Sequence, residues 1–125
     1  MDLSKSFEDY LETIYLLERE KGAARAKDIA KALEVKLPSV TEAVQKLAKI
    51  ELVNYKRYGK IELTRKGKKF AREVFGKHQA LYTFLTEFLG VKKDTAMKEA
   101  CLLEHNLSSG TLKKLVRFIK NKDRR

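Results

Sequence analysis

Cysteine, proline and tryptophan are nearly absent from this chain. Of its 125 residues one is Cys, one is Pro and none is Trp. A single cysteine, Cys101, excludes an internal disulfide. One proline and six glycines leave little material for long irregular loops. No apolar run approaches the ~20 residues needed to cross a bilayer. The first twenty residues are charged throughout, so no signal peptide is visible. These absences predict a soluble, cytoplasmic protein. Acidic side chains are also under-supplied, with 17 Asp and Glu against 28 Lys and Arg and a net charge of +11.

What is present is enough for a core. The chain is 43% hydrophobic, which argues against disorder and suits one compact unit or two small lobes. The basic excess suits a polyanion such as nucleic acid, and a thermostable Lys/Glu-rich surface is the plainer alternative. The distribution helps to choose. Residues 1–20 carry two basic and six acidic side chains, a net of −4, whereas residues 21–75 carry 15 basic and 6 acidic, a net of +9. A basic middle behind an acidic start is not a uniformly charged surface.

Phe7, Tyr10, Leu11, Ile14, Tyr15 and Leu17 follow helical spacing, which predicts a first helix over Ser6–Glu20 capped by Ser4 or Ser6 and closed by Gly22. Ile29, Ala30 and Leu33 form a short stripe. After the break at Glu34–Lys36, Pro38 opens a second pattern carrying Val40, Val44, Leu47 and Ala48. Two short helices about a tight turn read as a helix-turn-helix. From Leu52 to Thr64 the period becomes two: Val53, Tyr55 and Arg57, a turn at Tyr58-Gly59-Lys60, then Ile61 and Leu63. That is a hairpin, or wing. Helical spacing resumes at Arg65 and predicts one long helix to Phe88 that includes Leu89 in its apolar stripe, disturbed at Gly76 and stopped by Gly90. Asp94 is placed to cap a helix reaching Asn106. Ser108 or Ser109 is placed to cap a last helix with Leu112, Leu115, Val116 and Ile119 inward, and the tail 121–125 is expected to fray. The fold class is mainly α: a winged helix-turn-helix domain over 1–66, then a helical domain over 67–125.

A reading helix lays its polar face in the DNA major groove. Here that face carries Lys36, Pro38, Ser39, Thr41, Glu42 and Gln45, of which Ser, Thr and Gln have groups for base edges. Lys46, Lys49, Lys56, Arg57 and Lys60 would meet phosphates, setting affinity more than sequence choice. A solvated helix without a partner is the alternative, and the wing and local charge weigh against it.

A second constellation is made of metal-ligand types. Cys101, Glu104 and His105 stand at i, i+3 and i+4, on one helix face. Thiolate, carboxylate and imidazole are a donor set for a divalent transition metal. Asp9 and Glu12 share an edge of the first helix, and His78 lies on the long one. Each has an ordinary alternative: a buried thiol, a core-edge histidine, or carboxylates favoured by the helix dipole.

The segments EDYLETIY at 8–15, DIAKALEVKLPSVTEAVQKL at 28–47, LTRKGKK at 63–69, KHQ at 77–79 and ACLLEHNLS at 100–108 together resemble the diphtheria-toxin-repressor family of metal-dependent transcriptional repressors. The resemblance runs from Glu8 to about Ile119. It implies a homodimer that binds a palindromic operator when loaded with Mn(II) or Fe(II), in the two-domain form without an SH3-like domain. It also implies metal ligation by Asp9 and Glu12, as in the manganese-sensing branch, and by His78, Glu104 and His105, as in both branches. Cys101 is similar to the iron-sensing branch. The chain is thus a hybrid of the two, and Tyr82 and Met97 depart from the iron branch's ancillary site. Cys101 favours softer ions and the carboxylates harder ones, giving a narrow preference for Fe(II) over Mn(II). No catalytic residue is expected. The main alternative is a metal-independent winged-helix regulator sensing a small organic ligand; a metallohydrolase and a non-specific architectural DNA binder are further ones.

Overall fold

Residues 4–56 and 59–123 are described by a computed structural model of the chain. They form α1 (Lys5–Lys21), β1 (Ala24–Arg25), α2 (Ala26–Leu33), α3 (Leu37–Lys49), β2 (Val53–Tyr55), β3 (Lys60–Leu63), α4 (Arg65–Thr83), a π-helical turn (Phe84–Phe88), α5 (Lys93–Asn106) and α6 (Ser109–Asp123). The chain divides into two units, Met1–Val74 and Phe75–Arg125, with the boundary inside α4.

In the first unit, Ser4 is the cap of α1: its Oγ accepts from the Phe7 N–H at 3.3 Å. Gly22 closes the helix at φ 78°, in the left-handed region that glycine adopts without strain. Tyr10, Leu11, Ile14 and Leu17 turn inward against Ile29, Val40, Val44, Leu47, Leu52 and Ile61. Burial pushes the pKa of the Tyr10 hydroxyl above its usual value.

The wing is one strand richer than the periodicity predicts. The strand order is β1-β3-β2, all antiparallel, with Ala24 opposite Ile61 and Val53 opposite Leu63. A strand of two residues is too short to show alternation, which is why β1 has no sequence signature. Arg57, expected in the first strand, and Tyr58, expected in the turn, lie outside the described residues.

Thr64 ends the sheet and starts α4. Its Oγ1 accepts from the Gly67 N–H at 3.0 Å and donates to the Glu51 carbonyl at 2.6 Å. Gly67 lies against Leu52, and a Cβ built there would overlap the Leu52 carbonyl.

The second unit has its own core of Ala80, Leu81, Leu85, Ala96, Ala100, Leu112, Val116 and Ile119. Three expectations are corrected here. The long helix is regular through Gly76; the disturbance comes at Phe84–Phe88, where the Thr86 hydroxyl takes the Tyr82 carbonyl at 2.9 Å in competition with the backbone ladder. Lys92, not Asp94, is the N-cap residue of α5, and Asp94 sits inside the first turn, where its charge suits the helix dipole. Helical structure extends past Asn121: α6 runs to Asp123, with Ile119 buried, and Ser108 caps it by accepting from the Thr111 N–H at 3.3 Å.

Candidate nucleic-acid interface and metal centre

The turn between α2 and α3 sets the pose of the reading helix. Glu34 adopts φ 55°, and the Val35 N–H donates to the Ala30 carbonyl at 3.0 Å, so the chain reverses within three residues. Pro38 sits in the first turn of α3, where its missing N–H breaks no helical bond. Val40, Ala43, Val44 and Leu47 are buried, so the opposite face is presented outward. Lys36, Pro38, Ser39, Thr41, Glu42, Gln45, Lys46 and Lys49 are all exposed, as the amphipathic pattern predicts.

Some of these side chains have local partners. Glu42 and Lys46 form a 3.3 Å ion pair, and the Thr41 hydroxyl donates to the Leu37 carbonyl at 3.2 Å. On the wing, Lys56 lies 3.9 Å from Glu62. Exposed pairs of this kind contribute little, so a phosphate can displace them. Lys60 is half-buried at the start of β3, and Arg57 lies outside the described residues. Leu37, 49% exposed, was not among the expected face residues. An apolar residue one position before the helix proline is the signal that marks it, since such a side chain suits a thymine methyl.

The metal-type residues fall in both units. Asp9 and Glu12 are half-buried on α1, and Glu8, not singled out from the sequence, is half-buried four residues before Glu12. That i, i+4 spacing was available as a signal. In the second unit His78 is on α4, and Cys101, Glu104 and His105 are on α5. Glu104 is the one charged side chain buried among the described residues, 9% exposed. His78 Nδ1 lies 3.8 Å from Glu104 Oε2, too far for a hydrogen bond. Glu104 and His105 bring their donor atoms within 4.8 Å of each other. Cys101, half-buried, stands one turn before them and is not part of a disulfide.

A buried carboxylate is costly to keep without strong compensation. Two donors held at about 2.0–2.2 Å from one ion stand roughly 3–4.3 Å apart. The His78–Glu104 separation therefore fits a shared divalent cation, and nitrogen plus oxygen is a donor set that first-row metals accept.

A helix-turn-helix, a three-stranded wing and a separate helical unit with buried Glu104 near half-buried His78 define a two-unit winged-helix protein. Known proteins narrow the class. Residues 2–61 match the iron dependent repressor N-terminal DNA binding domain, and residues 64–125 match the iron dependent repressor metal binding and dimerisation domain. An uncharacterized HTH-type transcriptional regulator of Methanocaldococcus jannaschii is 43% identical over 118 residues, covering 94% of each chain. The HTH-type transcriptional regulator MntR of Bacillus subtilis is 41% identical, covering 96% of this chain and 86% of its own. Among solved structures, T. acidophilum IdeR superposes with a TM-score of 0.78 at 26% identity, over 96% of this chain and 55% of its own. The manganese regulator SloR gives 0.74 at 33% identity, over 96% and 55%. The chain spans about half the length of these two solved structures.

This chain belongs to the iron dependent repressor family. Its membership makes it a metal-dependent DNA-binding transcriptional regulator, and the matched domains are regulatory. No described helix is long and apolar enough to cross a membrane.

Proposed function

We propose that this protein is a homodimeric cytoplasmic repressor that binds a palindromic operator when a divalent metal is held by His78, Cys101, Glu104 and His105 together with Asp9 and Glu12. Glu8 is an additional carboxylate on α1, one turn before Glu12. The functional division is read at the start of α4, with 1–66 for DNA and 67–125 for metal and dimer. The observation that carries this reading is buried Glu104, whose carboxylate stands 3.8 Å from His78 Nδ1.

A bound metal would supply positive charge beside the buried Glu104 carboxylate, which already has half-buried His78 at 3.8 Å. Glu104 and His78 give it oxygen and nitrogen, and the Cys101 thiolate adds a softer donor that favours Fe(II) narrowly over Mn(II). Asp9 and Glu12 would bring α1 under the same control. α1 is itself part of the reading unit, because Glu18 on it accepts the Leu63 N–H of β3 at 2.9 Å. With Asp9 and Glu12 held as ligands, α1 would be fixed, favouring the pose in which α3 of each subunit meets its half-site. Lys36, Ser39, Thr41 and Gln45 then face the base edges, and Lys46, Lys49, Lys56, Arg57 and Lys60 meet phosphates.

Gel shifts against the gene's own upstream DNA, run separately with Fe(II), Mn(II) and Zn(II), test the reading. Retardation should require metal, and operator DNA should tighten metal binding by the same factor. Equal DNA affinity with and without metal, unaltered in the Cys101→Ala/Glu104→Ala/His105→Ala variant, would instead support a sensor of an organic ligand.

A further inference from the structure

Arg65, Lys68, Lys69 and Arg72 occupy i, i+3, i+4 and i+7 of α4, which places four cations on one face over two turns. All four are exposed and line one surface groove. None forms an ion pair with another described residue. Glu73, the one carboxylate of α4, stands four residues after Lys69 yet is not paired with it among the described residues. The arrangement is unfavourable for the helix itself. Like charges at these spacings repel, and the first turns of a helix carry the positive end of its dipole. α4 has no acidic residue in its first turn to offset this. A local rule broken without compensation among the described residues points to an external anion.

The spacing identifies the anion. From Arg65 to Arg72 the helix rises ~10 Å. That length suits a row of phosphates along a nucleic-acid strand, about 3.4 Å apart along the duplex axis, better than one small ion. Position identifies the stretch of DNA. Lys66 Nζ, in the same helix start, lies 3.4 Å from the Ile50 carbonyl, just past the last residue of α3. The strip therefore begins at the end of α3 opposite to the first turns that meet base edges.

We propose that Arg65, Lys68, Lys69 and Arg72 form a second phosphate-binding strip, which holds the backbone of double-stranded DNA flanking the segment read by α3. The proposal rests on the DNA-binding reading above. It adds a contact that rewards flanking duplex without reading its sequence.

The test compares a duplex holding only the operator with one extended by a helical turn on each side, in saturating metal over a range of salt. The protein is the full chain, wild type or Arg65→Gln/Lys68→Gln/Lys69→Gln/Arg72→Gln. Exposed glutamines keep the helix, which circular dichroism checks. Wild type should bind the extended duplex more tightly and with a steeper salt dependence. The variant should lose that gain, its log–log salt slope falling by about 0.9 per phosphate released, while it binds the short duplex as wild type does. The half-variants Arg65→Gln/Lys68→Gln and Lys69→Gln/Arg72→Gln should fall between. An unchanged slope on the extended duplex, or equal loss on both duplexes, overturns the strip as a flanking contact. Loss of polyglutamate binding with DNA binding intact would reassign it to an acidic protein and likewise overturn it. If wild type fails to bind even the short operator with metal, the DNA-binding reading fails first, so the two failures are distinguishable.

Discussion

Glu18 Oε1 accepts a 2.9 Å hydrogen bond from the backbone N–H of Leu63, and so joins α1 to the central strand of the wing. The bond is part-buried and its acceptor is charged. Glu18→Ala should leave that N–H without a partner and lower stability by about 1–3 kcal/mol. Glu18→Gln, which retains an acceptor oxygen, should recover most of it. Urea melts of both variants, with hydrogen exchange at Leu63, check the prediction; equal melts for Ala and wild type would refute it.

Gly67 is needed for space, not for conformation. Its φ is ordinary, but a Cβ would run into the Leu52 backbone carbonyl, which cannot swing away as a side-chain tip can. That carbonyl also accepts the Thr64 N–H at 3.0 Å. Gly67→Ala should therefore destabilise the first unit by about 1–3 kcal/mol despite alanine's better helix propensity. Thermal melts decide the sign.

Glu34 offers the opposite case. It holds φ 55° in the turn before the reading helix, a region where a Cβ is crowded. Glu34→Gly should relieve that strain and stabilise by about 0.5–1 kcal/mol after allowing for glycine's looser unfolded state. Operator affinity, measured alongside, should change little, because Glu34 precedes the reading face.

Metal should be visible in stability before it is visible on DNA. A ligand bound only by the folded chain adds about 2.7 kcal/mol at a hundredfold excess over Kd, on the order of 10 °C in Tm here. A chelator should remove that increment. Glu104→Gln and His78→Ala should each abolish most of it, and lowering the pH should weaken it, since protons compete for the ligands. Scanning calorimetry with Mn(II), and Fe(II) under nitrogen, measures it. A full increment in Glu104→Gln would remove Glu104 from the site.

The parts of the fold written in period and punctuation were legible. The stripe of Tyr10, Leu11, Ile14 and Leu17, the break before Pro38 and the alternation through Val53 and Ile61 each name an element. So was the outward face of α3, because burying Val40, Val44 and Leu47 decides where Ser39, Thr41 and Gln45 go. What was not legible depends on single hydrogen bonds or on distant partners. β1 exists because β3 offers it an edge, and Lys92 caps α5 through its backbone. The approach of His78 to Glu104 joins two helices that no local pattern relates. C-x-x-E-H showed that three donor types share a face, but not which of them the fold buries.

The π-helical turn at Phe84–Phe88 has a consequence for angular phase. Leu81, Leu85, Phe88 and Leu89 obey helical spacing, and an uninterrupted α-helix would aim all four at the core. Leu81 and Leu85 do go inward, but Phe88 is 41% and Leu89 59% exposed. A wider turn takes one residue more and sets the residues after it back by roughly 100° of rotation. The hydrogen bond from the Leu89 N–H to the Phe84 carbonyl, 3.2 Å across five residues, records that extra residue. One widened turn thus carries a core-patterned aromatic out to the surface, and Phe88 meets Phe84 at a ring separation of 5.7 Å rather than meeting the interior.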